Sequence, residues 1–213
     1  MSRVTRSVPS TASTEETLAE RRRQIIEVAA RLLVEEGAHG LSLRHLAREV
    51  GGSTQLIYTL FGGKPGLADE LYAEGFRRLN AVMRAALESA PPPGDPERIC
   101  ALGRAYRQFA NDQPDMFSVM FGRAIPGFTP ASRTRHTGRS TTFEIVVDTA
   151  AECLAAGTLT GGTAEDIARV CWVTGHGVAS LEAGGLLAAE NLDAFVEMAL
   201  KVPVDAYRPK PSR

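Results

Sequence analysis

The sequence lacks the long apolar run that a membrane protein needs. No stretch approaches the roughly 18 uninterrupted apolar residues that would span a bilayer. Residues 1–14 also lack the apolar centre of a signal peptide. We therefore expect a soluble cytoplasmic protein that has no membrane partner.

Cysteine is scarce, with three residues in the whole chain. They lie far apart, each in an apolar stretch with helical periodicity, and no pair has a metal-ligand spacing such as CxxC. The three are Cys100, Cys153 and Cys171. We interpret them as buried small hydrophobic residues, and a redox-sensing role is the alternative.

Signatures of catalysis are missing as well. The four histidines do not pair with carboxylates at metal-ligand spacing. The chain contains neither a glycine-rich phosphate loop nor a nucleophile elbow. We expect no catalytic residue, no metal and no cofactor, so the protein is not predicted to be an enzyme. A helical-bundle enzyme is the weaker alternative.

The chain also lacks the strong positive charge of many nucleic-acid-binding proteins, since its net charge is −1. The distribution is more informative than the total. Residues 1–66 hold 9 Lys and Arg against 7 Asp and Glu, whereas residues 67–213 hold 15 against 18. A slightly basic N-terminal part is compatible with localised phosphate contact, but the asymmetry is too small to argue alone.

Helical periodicity runs along most of the chain, and strand-like alternation and internal repeats are absent. The fold class is therefore predicted to be all-α. Thr17 and Glu20 form a capping box that should begin the first helix. Towards the C-terminus we predict a polar loop over residues 122–138 and helices over about 140–156, 164–187 and 192–201.

The most informative feature is a pair of short helices over residues 42–50 and 53–61. Ser42 and Ser53 are predicted N-caps, and Gly51 with Gly52 separates the two helices. Because glycine bends the backbone sharply without strain, the helices can cross at a steep angle. The pattern predicts a helix-turn-helix.

The second of these helices has one apolar and one polar face. Leu56, Ile57 and Leu60 should be buried, and the opposite face is uncharged but rich in hydrogen-bonding groups. It carries Ser53, Thr54, Gln55, Tyr58 and Thr59. Such groups suit base edges and phosphates in the major groove. Ser42, Arg44 and Lys64 stand near helix starts, where phosphate is attracted.

Residues 22–71 resemble the DNA-binding domain of the TetR family of regulators. The matching positions are Ile25, Ala29, Leu33, Gly37, Ser42, Leu43, Arg44, Leu46, Ala47, Val50, Gly51, Ser53, Tyr58, Phe61, Lys64 and Leu67. The resemblance implies that double-stranded operator DNA is bound. It implies base contacts by Arg44, Thr54 and Gln55. It implies mainly phosphate contacts by Ser42, Ser53, Tyr58, Thr59 and Lys64.

The sequence departs from that family pattern at several positions of the same domain. Gly52 stands where an apolar residue normally pins the turn, and Leu60 replaces the common His or aromatic residue before Phe61. Gly62, Gly63 and Pro65 replace more polar residues around Lys64. These changes bear on how the second helix is held against DNA.

A second resemblance lies in the C-terminal half. The run Trp172-Val173-Thr174-Gly175-His176-Gly177 is similar to a TetR-type ligand domain characterised by its Trp and His-Gly, and Tyr106, Phe109, Ala110, Pro114, Met120 and Phe121 fit the same subgroup. The resemblance implies a regulatory domain that binds a small-molecule effector. The nine-to-ten-helix arrangement would then comprise a three-helix DNA-binding domain and a helical bundle.

Aromatic and thioether side chains of this half are candidates for an effector pocket, because such pockets are mostly apolar with few polar groups. The candidates are Tyr106, Phe109, Met116, Phe117, Met120, Phe121, Phe143, Trp172 and His176. Plain core packing is the alternative for the aromatic residues, and a satisfied core or interface histidine is the alternative for His176.

A helix-turn-helix that binds near-palindromic operators favours a homodimer. We predict pairing through helices 140–156 and 164–187, with packing only within the subunit as the alternative. The predicted ranges are a disordered arm over 1–15, a helix-turn-helix domain over 16–64, a ligand-binding and dimerisation domain over 65–202, and a flexible tail over 203–213. The predicted function is a ligand-responsive repressor released by a small hydrophobic molecule, and an architectural or adaptor protein without a ligand is the alternative.

Overall fold

The computed structural model describes residues 11–37, 41–121, 132–187 and 190–210. Across these ranges it contains nine α-helices and no β-strand, as the all-α prediction requires. The helices are α1 (Thr11–Glu35), α2 (Leu43–Glu49), α3 (Thr54–Phe61), α4 (Lys64–Glu88), α5 (Glu97–Asp112), α6 (Pro114–Phe121), α7 (Ser132–Ala155), α8 (Ala164–Ala183) and α9 (Leu192–Asp205).

The described chain folds into two compact units, the first ending at Leu71 and the second beginning at Tyr72. In the first unit α1 packs on α2, and α2 packs on α3. Its core is made of apolar side chains spaced three or four residues apart, which bury one stripe of each helix. Those with no exposed surface include Ile25, Ala29, Leu46, Ile57, Leu67 and Leu71.

The second unit is organised around α8, which packs against α5, α7 and α9. Small residues allow close approach at one of these contacts. A Cβ atom added to Gly103 on α5 would lie 2.8 Å from Leu200 Cδ2 on α9, so a larger residue would require the Leu200 side chain to move. Glycine at this position therefore leaves room for Leu200 between α5 and α9.

The first helix begins earlier than the capping box predicted. Helix α1 starts at Thr11, so Thr17 lies inside it and residues 11–15 of the predicted disordered arm are helical. No proline or glycine interrupts the chain between Ser10 and Gly37, and extending a formed helix is far easier than nucleating one. Residues 1–10 of the arm lie outside the described residues.

Two predicted boundaries in the second unit are also corrected. Helix α7 already begins at Ser132, inside the predicted loop, and residues 122–131 of that loop lie outside the described residues. Helix α8 ends at Ala183 rather than near 187, because Gly184 and Gly185 follow it and Gly185 has a φ of +65°.

The start of the predicted flexible tail is ordered. Helix α9 continues through Pro203 to Asp205, and Val204 is 1% exposed. Tyr207 packs against the buried cluster around Ile99 and Ile167, and its carbonyl accepts a hydrogen bond from Thr160 N at 2.7 Å. Apolar residues recurring at helical spacing fix this segment. Residues 211–213 lie outside the described part.

Candidate nucleic-acid interface and effector cavity

The turn between α2 and α3 is built from two separately capped helices. Ser42 Oγ accepts from the His45 backbone N–H at 3.5 Å, and Ser53 Oγ accepts from the Leu56 N–H at 3.2 Å. Between them Gly51 has a φ of +59°, a left-handed conformation that suits glycine. Both predicted caps are confirmed, and they fix where the second helix begins.

Helix α3 has an apolar and a polar face, as its sequence predicts. Ile57 and Phe61 are buried, but Leu56 and Leu60, which were also expected to be buried, are only half-buried. On the other face Ser53, Gln55, Tyr58 and Thr59 are exposed and Thr54 is half-buried. Tyr58 is 54% exposed although it is a large aromatic residue. The Thr59 hydroxyl donates to the Gln55 carbonyl at 2.9 Å. A continuous polar surface of hydroxyl, amide and phenol groups results.

The remaining predicted DNA contacts flank this surface. Ser42 and Arg44 are exposed at the start of α2, and Lys64 is exposed as the first residue of α4. Gly62 ends α3 with a φ of +70°, so the chain turns at once from α3 to Lys64. The structure thus places the predicted residues of α3 on one exposed surface and the other three at neighbouring helix starts.

Sequence reasoning missed two arginines of the first unit, Arg21 and Arg22 on α1. Arg21 Nη2 donates to the Val50 carbonyl at 2.6 Å, and Arg22 Nη1 donates to the Leu60 carbonyl at 2.7 Å. Their partners lie 29 and 38 residues further along the chain. Local sequence patterns cannot predict contacts between residues so far apart in the chain.

In the second unit an apolar cavity is lined by three of the predicted effector contacts, Tyr106, Trp172 and His176. Aliphatic and small residues that sequence reasoning missed complete the lining. They are Met83, Ile99, Leu102, Gly103, Thr142, Val146, Cys171, Gly175 and Leu200. These residues come from α4, α5, α7, α8 and α9. The one sequence pattern that they share is a position on the inward face of a helix.

The other six candidates do not line this cavity. Phe117 and Phe121 pack behind it, with ring centroids 5.9 and 4.8 Å from the His176 ring. Phe143 lies against Trp172 at 5.1 Å, and Phe109 is 1% exposed in the core. Met116 and Met120 are buried beside Gly75. The helical spacing of aromatic residues therefore did not distinguish residues that line the cavity from residues that pack behind its lining.

One wall of the cavity carries a chain of hydrogen bonds. The Tyr106 hydroxyl lies 2.7 Å from His176 Nδ1, and Ser180 Oγ lies 3.3 Å from His176 Nε2. With His176 as the Nε2–H tautomer, the Tyr106 hydroxyl donates to Nδ1 and Nε2–H donates to Ser180 Oγ.

The side chains of this hydrogen-bond network stay neutral near pH 7. Burial raises the pKa of the Tyr106 phenol, with the Trp172 hydrogen bond acting in the opposite direction. Burial lowers the pKa of the His176 imidazole. None of the residues lining the cavity is Asp, Glu, Lys or Arg. The cavity therefore combines an apolar surface with one uncharged polar corner.

The cavity is small in this conformation. It holds about 30 Å³ open to the centres of water molecules, whereas one water needs roughly 10–15 Å³ on that measure. A molecule larger than a few waters would have to widen it. The flexible side chains of Met83 and Leu200 are the parts of the lining that can move most easily.

The cysteines converge in the second unit. Cys100 and Cys153 are buried in one apolar cluster, as predicted, and Cys171 packs half-buried against the same cluster. Burial raises the pKa of Cys100 to about 11 and that of Cys171 to about 12, which leaves little reactive thiolate at neutral pH. Within the described residues, no group of three or more His, Cys, Asp or Glu is placed to hold a metal ion.

Large apolar side chains are exposed along two helices of the second unit. On α8 the stripe contains Val170, Val173 and Leu181, and on α9 it contains Phe195, Met198 and Val202. Both stripes follow helical spacing, and nothing lies within 4 Å of a Cβ built on Gly177 in the first. For α7, the described side chains 141–155 contribute none of these exposed residues, and the pairing through 140–156 and 164–187 stays a prediction.

A pair of short capped helices joined by a glycine turn, with a polar outward face on the second helix, is typical of the helix-turn-helix class of DNA-binding proteins. Comparison with known proteins narrows this class. Residues 25–71 match the family of bacterial regulatory proteins of the tetR type, and residues 99–202 match a tetracyclin repressor-like C-terminal domain. The chain belongs to the TetR family of transcriptional regulators. The Trp and His-Gly subgroup stays a prediction.

Individual relatives are consistent with this assignment. An HTH-type transcriptional regulator of Mycobacterium tuberculosis is 29% identical over 139 residues, which cover 65% of this chain and 57% of the relative. A structure of a protein of unknown function from Rhodococcus sp. RHA1 is 34% identical with a TM-score of 0.75, covering 89% of this chain and 95% of that one. The match thus spans little more than half the length of the mycobacterial relative.

A more distant structure shows the fold alone. A tetR family transcription regulator from Shewanella sp. PV-4 is 19% identical and has a TM-score of 0.69, covering 89% of this chain and 99% of that one. None of the helices in the described ranges has the length and apolar character needed to cross a membrane.

Proposed function

We propose that the protein is a cytoplasmic, ligand-responsive repressor that binds operator DNA as a homodimer and is released by a small neutral apolar molecule. The exposed polar surface of α3, with Tyr58 more than half exposed above a buried Ile57, carries the proposal. At this exposure the Tyr58 ring and hydroxyl are accessible to a partner. Its phenol suits a phosphate oxygen of DNA.

Within this proposal the residues of the surface have different tasks. Gln55, Thr54 and Arg44 contact base edges, because an amide can bond to adenine at two points and a guanidinium to guanine. Tyr58, Lys64 and the hydroxyls of Ser42, Ser53 and Thr59 contact phosphates and fix the register on the duplex.

The homodimer forms through the apolar stripes of α8 and α9. Exposed apolar side chains on adjacent helices favour a partner surface, and a two-fold axis lets the same stripes meet their copies. Two recognition helices then contact two half-sites of a near-palindromic operator. This proposal replaces the pairing through residues 140–156.

The effector binds at the cavity and is uncharged. An ion entering a lining without an opposite charge would lose its hydration at a cost of several kcal/mol. The Tyr106 hydroxyl supplies the polar recognition, since its oxygen can still accept a hydrogen bond after its O–H has bonded to His176. Binding favours a wider conformation in which the two recognition helices no longer match successive grooves.

The test is a titration of the purified protein with fluorescent DNA taken from beside its own gene and with scrambled DNA. We expect a clear preference for the first, with affinity falling steeply as salt rises. Lys64→Ala should weaken both and reduce the salt slope by about 1. Gln108→Ala, on an exposed position of α5, is the control. Equal affinity for both DNAs would refute the proposal.

The small volume of the cavity favours one alternative, a DNA-binding adaptor that takes no ligand. A thermal-shift screen of neutral compounds separates the two. A sensor should be stabilised by at least one compound, by roughly 2.7 kcal/mol when the ligand stands at 100 times its Kd. Tyr106→Phe should weaken that stabilisation. Absence of any stabilising compound would favour the adaptor.

A further inference from the structure

Arg21 and Arg22 of α1, called the arginine pair, bond to the Val50 and Leu60 carbonyls at the ends of α2 and α3. We propose that the arginine pair consists of positioning residues that hold the C-terminal ends of α2 and α3, so that the polar surface of α3 is presented to DNA at a fixed angle. The proposal rests on the proposed DNA-binding function and adds residues outside the helix-turn-helix to it.

Arg21 holds the end of α2. Its Nη2 donates to the carbonyls of Val50 and Gly51 at 2.6 and 3.1 Å, and its Nη1 donates to Gln24 Oε1 at 2.7 Å. The last carbonyls of a helix lack partners within the helix and carry the negative end of its dipole. A guanidinium bound there fixes the point at which the chain leaves α2 for the turn.

Arg22 does the same for α3. Its Nη1 donates to the Leu60 carbonyl at 2.7 Å and its Nη2 pairs with Glu70 at 3.1 Å. The guanidinium also lies over the Phe61 ring, 4.8 Å from its centroid, a favourable cation–π distance. Arg22 therefore ties the end of α3 to α1 and to the first turns of α4.

The arginine pair explains the glycine at position 52. A Cβ atom on Gly52 would lie 3.3 Å from Arg21 Nη2 and 3.3 Å from Leu56 Cδ2. Such spacing is tight, so a side chain at this position would require the Arg21 guanidinium or the Leu56 side chain to shift by a few tenths of an ångström. Arg21 thus lies beside the position whose apolar residue usually pins this turn in the resembling family. The turn is held from α1 as well as by its own caps.

The neighbouring Arg23 provides a matched control. It pairs with Glu20 on its own helix and is 65% exposed, and within the described residues it makes no hydrogen bond or ion pair to α2 or α3. Replacing any of the three arginines removes one positive charge from the same stretch of α1. General electrostatic effects on DNA affinity should therefore be alike in all three variants.

The experiment measures operator and scrambled DNA affinity over a range of salt for Arg21→Ala, Arg22→Ala and Arg23→Ala of the full chain. We expect the first two to lose at least about tenfold in operator affinity, from the loss of charge-assisted bonds. Arg23→Ala should lose less than about twofold. Scrambled DNA affinity should change equally in all three, because only charge acts there.

The salt slope separates positioning from phosphate contact. A lost phosphate contact lowers the slope of log affinity against log salt by about 0.9. We expect the slopes of Arg21→Ala and Arg22→Ala to equal that of Arg23→Ala. A lower slope in either variant would overturn the proposal in favour of direct phosphate binding.

Substitutions at Gly52 keep the test decisive if an arginine variant unfolds. Gly52→Val should weaken operator binding in the wild-type chain, since it crowds Arg21, and should strengthen it in the Arg21→Ala chain, where it fills the vacated place. A change of operator affinity in the same direction in both backgrounds overturns the proposal.

The outcomes also separate this proposal from the proposed function. If the wild-type chain does not prefer operator DNA, the proposed function fails too, whereas arginine variants that match Arg23→Ala refute the positioning role alone.

Discussion

The two units of the molecule differ in whether their candidate functional side chains are exposed or line an interior cavity. In the first unit the polar surface of α3 faces outward, and buried Ile57 and Leu46 support it from below. In the second unit Tyr106, Trp172 and His176 line an interior cavity, while large apolar residues of α8 and α9 are exposed. An exposed polar surface is suited to a charged polymer, and an interior apolar cavity to a small molecule.

The difference also teaches how each unit is held together. The short helices of the first unit depend on caps and on arginine bonds to helix ends, because α2 and α3 span 7 and 8 residues and such helices are marginal alone. The longer helices of the second unit depend on side-chain packing. Loss of a capping or helix-end polar group should therefore weaken the first unit, loss of an exposed polar group of α3 should alter DNA binding alone, and loss of a buried polar group should weaken the second unit.

The largest effect should come from breaking the apolar stripes. Val173→Asp combined with Met198→Asp places four carboxylates in the proposed two-fold interface. We expect monomers in sedimentation and a loss of operator affinity on the order of 100-fold or more, because one half-site contact is lost. Ala151→Asp, at an exposed position of α7, should leave the dimer intact. Dimers surviving in the double variant would restore the pairing through α7.

The next effect in size concerns the cavity wall. Tyr106→Phe removes one hydroxyl and leaves His176 Nδ1 without its partner. We expect the free energy of unfolding to fall by about 1–3 kcal/mol, measured by urea titration. Tyr58→Phe, at an exposed phenol, should change stability by less than about 0.5 kcal/mol but weaken operator binding. Equal stability losses in the two variants would remove the contrast between the units.

The smallest effect is a pH dependence of the second unit. Burial lowers the pKa of His176 in the folded chain, so below pH 6.5 the unfolded chain binds a proton that the folded chain resists. The stability from this group is complete above that pH and is lost as pH falls towards the folded pKa. Denaturation at pH 7.5 and 5.5 should show a larger loss for wild type than for His176→Asn. Equal losses would contradict the assignment.

The helix-turn-helix could be predicted because its signals are local. Ser42 and Ser53 cap helices within three residues of themselves, and Gly51 marks a turn that needs positive φ. Each signal depends on the backbone next to it. The same reasoning failed at Thr17, where a plausible capping box lies inside a helix that begins at Thr11.

The cavity and the arginine pair could not be predicted in the same way. Helical spacing says that Phe109 and Tyr106 point inward but not which of them borders empty space, because this depends on helices brought together from distant parts of the chain. Similarly, the partners of Arg21 and Arg22 lie 29 and 38 residues away. The one sequence feature related to the arginine pair is Gly52, a glycine where the family pattern has an apolar residue.

The central claim is that the outward face of α3 enters a groove of operator DNA. Its most direct test is photo-crosslinking with p-benzoylphenylalanine placed at Gln55, and at Gln108 as a control, in the presence of operator or scrambled DNA. The account predicts a crosslink to operator bases from position 55 and none from position 108. Crosslinking from position 108 alone, or equal crosslinking of both DNAs from position 55, would contradict it.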